Sequence, residues 1–287
     1  MSALPPANWY PDPSGVGDLR YWDGAAWTPG VVIAGEVREQ PMPWPPVASV
    51  PTGAPDDRPQ LPGRAAFYGL AGFVTGIAGG LALTFLGEAA GFPDIALLLL
   101  NLLALWSGLL TACWRASRRY GTGNLRHDFG LEIGAKDVGW GVLMSFAAKV
   151  AGVIVIIPIV NNKRLVGNNQ GVYGKVDTNV GTFLIFAAVA VIGAPVVEEL
   201  FFRGLLLRSL TTAIGAGGAI VVQALLFGLA HFSPLLGLAN VSVVTIIAAA
   251  GIIFGITAWW RRRVGTSIVA HSTFNLISVI AAAFLLF

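Results

Sequence analysis

Gly193-Ala-Pro-Val-Val-Glu-Glu-Leu-Phe-Phe-Arg-Gly204 carries two adjacent carboxylates and an arginine inside a stretch that is otherwise apolar. Ionisable groups at bilayer depth cost about 2.5–3.5 kcal/mol each on insertion scales, so they are retained mainly where they perform a function. The stretch predicts a membrane helix holding one third of a catalytic site. His231 and the pair His271/Asn275 supply the other two thirds. The composition around it agrees. Of 287 residues, 55% are hydrophobic and only 11% are charged, against about 25% charged in a soluble domain. The fold class is therefore all-α: a polytopic membrane helix bundle. A net charge of +3 does not argue for nucleic acid, because the basic residues collect at the ends of apolar runs, where they orient membrane proteins.

Apolar runs fall near 65–86, 94–114, 138–160, 180–200, 216–232, 238–260 and 266–287. A helical span needs roughly 20 such residues, which gives seven spans, or eight if the chain breaks at Pro195. Trp106, Trp114, Trp140, Trp259 and Trp260 are expected in an aromatic belt near the run ends. Arg64, Arg115, Arg118, Arg119, Arg126, Lys136, Arg203, Arg208 and Arg261–Arg263 fall on one side of a seven-span topology. Only Lys163, Arg164 and Lys175 fall on the other. The arginine-rich side is cytoplasmic by the positive-inside bias, making this a multi-pass plasma-membrane protein with a cytoplasmic N-terminus. Lys149, in the middle of the third run, is paired, snorkels or lines a polar cavity. The single Cys113 reads as a buried thiol. Met1-Ser-Ala-Leu-Pro-Pro has no basic or apolar signal-peptide pattern.

Residues 1–64 differ in kind and hold thirteen of the seventeen prolines. Residues 1–30 read as a Trp-rich cytoplasmic module, in which Leu19-Arg-Tyr-Trp22 and Ala26-Trp27-Thr28 flank Asp23-Gly24, a type I′ hairpin signal. A unit of about 30 residues is marginal alone, and the reading it supports is a docking hairpin with a possible protein partner. Residues 31–64, with Pro41-Met-Pro-Trp-Pro-Pro46, read as an extended linker. Residues 65–287 form the bundle, with the candidate site confined to a core at 179–287.

From residue 179 onwards the ionisable residues are few. Arg208 and Arg261–Arg263 serve as anchors at the basic side, leaving Glu198, Glu199, Arg203, His231 and His271. Glu199 and Arg203 stand at i, i+4 and can pair. Glu198 points about 100° away and is the free carboxylate. His271 and Asn275 also stand at i, i+4, a geometry that could donate to an oxyanion. Alternatively, Glu198, His231 and His271 could bind a divalent metal. His127 lies in a polar loop and has no assigned role.

Glu198-Glu199-x-x-x-Arg203, then Phe227-x-x-x-His231, then His271-x-x-x-Asn275 resembles the signature of the CAAX protease and bacteriocin-processing family of intramembrane endopeptidases. The N-terminal W-Y-P-D-P-x-G…R-Y-W-D-G-x-x-W-T pattern resembles a Trp-rich module of unknown function. The first resemblance implies peptide-bond hydrolysis in the bilayer, on a peptide or membrane-protein substrate. It implies that Glu198 and His231 activate water, that His271 and Asn275 stabilise the oxyanion, and that Glu199 and Arg203 support them. It leaves two chemistries open: direct glutamate–histidine activation with no cofactor, or a divalent metal such as zinc. The missing H-E-x-x-H spacing favours the first. Two further readings are a non-catalytic peptide-binding or partner-binding membrane protein, and a small transporter or proton relay. The intact residue set argues against the former, and the lack of an internal repeat against the latter. One tension remains for a seven-span topology. His231, late in an outward run, falls deeper than Glu198 and His271, which predicts a helix break near Pro195 or a fifth helix of unusual depth.

Overall fold

Long apolar segments have no route through a bilayer except as helices that satisfy their own main chain. The computed structural model follows that rule, and it describes residues 5–41, 58–162, 164–166 and 180–286. The expected linker between 42 and 57, together with Lys163 and Lys175, lies outside the described residues.

The N-terminal module is a four-stranded antiparallel sheet in simple up-down order: β1 (Asn8–Pro11), β2 (Leu19–Trp22), β3 (Trp27–Ile33) and β4 (Glu36–Glu39). It therefore extends past the expected boundary at residue 30. The Asp23-Gly24 signal also resolves differently. Strands β2 and β3 meet at Trp22 and Trp27, so the connection has four residues, and the Asp23 side chain accepts from the Ala25 and Ala26 N–H groups. The backbone suited to a type I′ turn lies instead at Ala34-Gly35, both at positive φ (52° and 79°), where Ile33 faces Glu36. Trp22 and Tyr10 pack edge-on against Trp27, and Trp9 against Tyr21.

Behind these rings the Arg20 guanidinium is fully buried. Its Nε donates to Asp12 at 2.9 Å, and its Nη1 donates to the Thr28 carbonyl. Burial works against the Asp12 charge. Hydrogen bonds from Arg20, Ser14 and the Gly17 N–H more than offset that and hold its carboxyl below the usual range. A carboxylate depressed in the folded state contributes stability above its unfolded pKa, about 3.9, and loses it as pH falls through the folded value. The module's tryptophan signal is accordingly expected to collapse only in strong acid. In Asp12→Asn it should already be weakened at neutral pH and show a flatter acid transition, as near-ultraviolet circular dichroism would register.

The bundle contains α1 (Ala66–Ala89), α2 (Asp94–Tyr120), the short α3 (Leu125–Asp128), α4 (Ala135–Ile156), the 50-residue α5 (Val180–Leu229), α6 (Asn240–Arg261) and α7 (Gly265–Leu286). Among the described residues, six helices are long and apolar enough to cross a membrane. At about 1.5 Å per residue, α5 is far longer than one crossing of roughly 30 Å. It is broken at Gly215, whose φ of 76° and ψ of 164° are not helical. Arg208, seven residues before the break, donates to the main-chain carbonyls of Pro59 and Asp128, which lie at the ends of the basic connections. Beyond the break α5 runs antiparallel to α6, with Gln223 near Gly255, Ala224 near Gly251 and Gly228 near Ala248. The two parts of α5 thus run in opposite senses, the second being the short segment from 216 to 229. The expected break at Pro195 does not occur, and the chain stays helical through it.

The basic connections converge at one end. Asp137, at the start of α4, accepts from Arg261, Arg263 and Thr266. Asp128 accepts from Ser117 and Thr122 and closes the α2–α3 corner. Helices α1 and α2 approach so closely that a Cβ on Gly72 would sit 2.4 Å from the Gly108 carbonyl oxygen, the small-residue contact that substitutes for a hydrophobic driving force in lipid. Trp106 is not in an interfacial belt. It lies midway along α2 and packs its ring against Gly193 of α5. Lys149 donates to Ser278 at 2.6 Å and rests over the Phe274 ring, so it is paired across α4 and α7. Cys113 is buried, with its thiol 3.7 Å from the Leu200 carbonyl.

Candidate active site

Two π-helical segments shape the first part of α5, Val189–Gly193 and Leu200–Leu206, on either side of the carboxylates. Such bulges recur at functional sites because they redirect side chains without ending the helix. The first has a specific cause. The Ala194 N–H bonds back to Val189 O, five residues earlier. In that pattern the Ala190 carbonyl would be served by residue 195, which is proline and has no N–H to give. Asn275 of α7 fills the gap, its Nδ2 donating to Ala190 O at 2.7 Å. The amide keeps a second N–H.

Downstream, Glu199 and Arg203 form the expected i, i+4 pair. Arg203 Nη1 donates to Glu199 Oε1 at 2.8 Å, with both side chains fully buried. Taking two charges out of water costs several kcal/mol per ion, and further contacts help to offset it. Arg203 Nη2 donates to the Gly251 carbonyl, and its guanidinium lies 4.3 Å from the Phe227 ring centre. Phe202 and Phe254 are the other aromatic neighbours. Glu199 Oε1 also accepts from His271 Nδ1 at 3.0 Å. That bond fixes the imidazole and leaves Nε2 facing the other carboxylate, with Glu198 Oε2 3.9 Å away. The imidazole is stacked on Phe254, with ring centres 5.3 Å apart. Glu198 Oε2 is shielded from solvent and has no hydrogen-bond partner among the described residues.

His231 stands one helical turn beyond Phe227 in the second part of α5. Its Nδ1 contacts the Phe227 carbonyl at 2.8 Å. The Phe227 ring touches both His231 and His271 edge-on, at 5.0 and 5.5 Å between centres. The structure therefore brings Glu198, Glu199, Arg203 and His271 into one connected cluster. His231 is held beside it through Phe227, and Asn275 is one turn along α7 from His271. No hydrogen bond joins Glu198 to His231 among the described residues, so the partner Glu198 meets first is His271. No break at Pro195 is needed to bring His231 near His271, because the Phe227 ring touches both.

Among the described residues no preformed group of three His, Cys, Asp or Glu is arranged to hold a metal ion. One nitrogen of His271 is engaged by Glu199 and one nitrogen of His231 by the main chain, contacts that metal-ligating histidines also make through their second nitrogen. Glu198, His231 and His271 therefore remain the residues that would hold a divalent metal, beside direct activation by the carboxylate.

Sequence reasoning missed Gln223. It is fully buried and donates to the same Gly251 carbonyl that Arg203 uses. A lone amide in an apolar run was the available signal. The phenylalanine lining of Arg203 had none, because aromatic residues at helical spacing look like ordinary core.

Comparisons with known proteins cover the same stretch of chain. Residues 180–277 match the family model for type II CAAX prenyl endopeptidase Rce1-like proteins, a span that contains Glu198, Glu199, Arg203, His231, His271 and Asn275. Residues 7–45 match a family described only as a protein of unknown function, DUF2510. No curated protein and no solved structure matches the chain. The three motifs stand in order within the first match, so residues 180–277 are similar to type II CAAX prenyl endopeptidases of the Rce1-like kind, and residues 7–45 are similar to a module of unknown function.

Proposed function

We propose that the chain is a multi-pass membrane endopeptidase that hydrolyses a peptide bond of a membrane-associated peptide or protein, with Glu198 as the base. The observation that carries the reading is the unpartnered, shielded Glu198 Oε2 beside a histidine that a second, ion-paired carboxylate holds in place. A base must be free to take a proton and be within reach of the group that shares it.

In this mechanism a water attacks the scissile carbonyl carbon as Glu198 removes its proton, with His231 helping to orient it. The carbonyl oxygen becomes an oxyanion that accepts from the remaining Asn275 N–H and from His271 Nε2–H, a donor role that requires His271 to carry both ring protons while Glu199 accepts from Nδ1. The C–N bond then breaks, and the proton held by Glu198 passes to the departing amine. Preorganised donors of this kind are worth about 10²–10³ in rate. Glu199 and Arg203 touch no reacting atom. They fix the ring orientation of His271 and balance charge. The catalytic core is assigned to residues 179–287, and the arginine-rich end faces the cytoplasm.

The test is cleavage of membrane-anchored peptides by the detergent-purified protein. Asn275→Ala should lower kcat by about 10²–10³, with a smaller change in KM. Asn275→Asp, which keeps an acceptor but has no N–H to donate, should fail similarly. Full activity in Asn275→Ala would remove the amide from the oxyanion site. Absence of cleavage across a broad peptide library would count against the peptidase reading as a whole.

A further inference from the structure

Outside the catalytic cluster, the arginine-rich end encloses a cleft of about 70 Å³. Its described lining includes Arg58, Arg203, Arg208, Arg262, Arg263 and one carboxylate, Asp18. On the same measure a single water needs roughly 10–15 Å³, so the space suits a group of a few heavy atoms. We propose that this cleft is a binding site for a phosphate group, presented by the headgroup of an anionic lipid, and that Asp18 of the N-terminal sheet is its built-in competitor.

Three observations support the assignment. The first is the kind of charge. Guanidinium groups present forked donors that match phosphate oxygens two at a time, and five line one small space, of which Arg203, Arg208 and Arg263 already spend some of their N–H groups on Glu199, main-chain carbonyls and Asp137. The second is an unsatisfied donor in the wall. Arg203 is 1% exposed, and its Nε–H has no partner among the described residues. The Arg262 side chain likewise has no hydrogen-bond or ion-pair partner among them. A buried donor without an acceptor costs free energy that an incoming anion would recover. The third is position. The walls are the part of α5 just before its break at Gly215, the end of α6 and the connection that leads to α7, and Trp259 lies among them, so the cleft opens at headgroup depth. Basic pockets between spans on this side suit anionic headgroups.

The N-terminal sheet reaches the same place. Its Ala34-Gly35 turn packs on Thr212, where a Cβ on Gly35 would lie 2.5 Å from the threonine methyl. Thr212 and Asp18 both line the cleft. The sheet thus lends a carboxylate to an anion site, and an arriving phosphate must share the arginines with it or displace it. Arg203 is common to the cleft and to the Glu199–His271 chain, so an occupant would contact the back of the catalytic cluster.

The proposal stands apart from the peptidase reading, and its test needs no turnover. Full-length protein carrying Glu198→Gln is titrated with inorganic phosphate in detergent. Separately, it is reconstituted in phosphatidylcholine vesicles with and without phosphatidylglycerol. Thermal stability is read in each series. Stabilisation by phosphatidylglycerol alone identifies the lipid as source, and stabilisation by phosphate as well identifies a general phosphate site. Arg262→Asn is chosen because residue 262 sits at φ 58°, which asparagine tolerates. It should weaken binding about tenfold, whereas Asp18→Asn should tighten it severalfold. Opposite shifts from two surface substitutions cannot come from misfolding. No stabilisation by either ligand, or equal stabilisation in the parent and in Arg262→Asn, overturns the assignment.

Discussion

Glu198→Gln should yield a folded protein in which peptide cleavage falls by about 10²–10⁴. The amide has nearly the same shape as the carboxyl group, and Glu198 makes no hydrogen bond through Oε2 that the change could break. The loss would therefore be chemical: an amide cannot take a proton from water. The same substitution at Glu199 should behave differently. Glu199 accepts from Arg203 and His271, so Glu199→Gln leaves a buried guanidinium without its counter-ion and lowers stability together with activity. The contrast between neighbours is the informative result. If Glu198→Gln cleaves as fast as the parent protein, Glu198 is not the base. If both variants lose stability equally, the division between a free and a paired carboxylate is wrong.

The second large effect is expected at Arg203. Arg203→Leu removes the cation and strands Glu199 as a bare buried charge, a change that costs about 3–5 kcal/mol. A pronounced fall in the apparent Tm of the detergent-solubilised protein should follow. Adding Glu199→Leu removes the stranded charge and should recover much of the loss, since apolar replacements of a buried pair are often neutral or better. Activity should not return with stability, because His271 would have lost the acceptor on its Nδ1. A double variant that regains Tm and remains inactive separates the structural role of the pair from its role in orienting the imidazole. A double variant no more stable than Arg203→Leu would show that Arg203 acts through its aromatic neighbours and not through Glu199.

The helical, membrane-spanning character was legible because hydropathy alone dictates it. The runs near 216–232 and 238–260 even identified the two segments that pack against each other. Glu199–Arg203 could be read from spacing, since i, i+4 geometry is local. What escaped was set by partners distant in sequence. Pro195 looked like a helix break, yet the helix continues because an amide 80 residues later repairs the main chain around it. The actual break, Gly215, sat unnoticed among other glycines and small residues. Trp106 resembled an interfacial anchor, but its environment is fixed by Gly193 on another helix. The sheet's last hairpin was hidden in residues read as linker, because Ala34-Gly35 is a weaker turn signal than Asp23-Gly24. The preference of Glu198 for His271 over His231 depends on how α7 seats against α5, and a linear motif does not encode that.

The bond from Asn275 to Ala190 also sets a schedule. Ribosomes deliver the chain in order, so α5 enters the bilayer well before α7 is made. Until α7 arrives, the carbonyl beside Pro195 has no donor, His271 is absent and Glu199 lacks one of its two partners. With Glu198 as the proposed base, a half-synthesised chain would hold that carboxylate without the assembled cluster, and completion of the last helix would be the event that arms it.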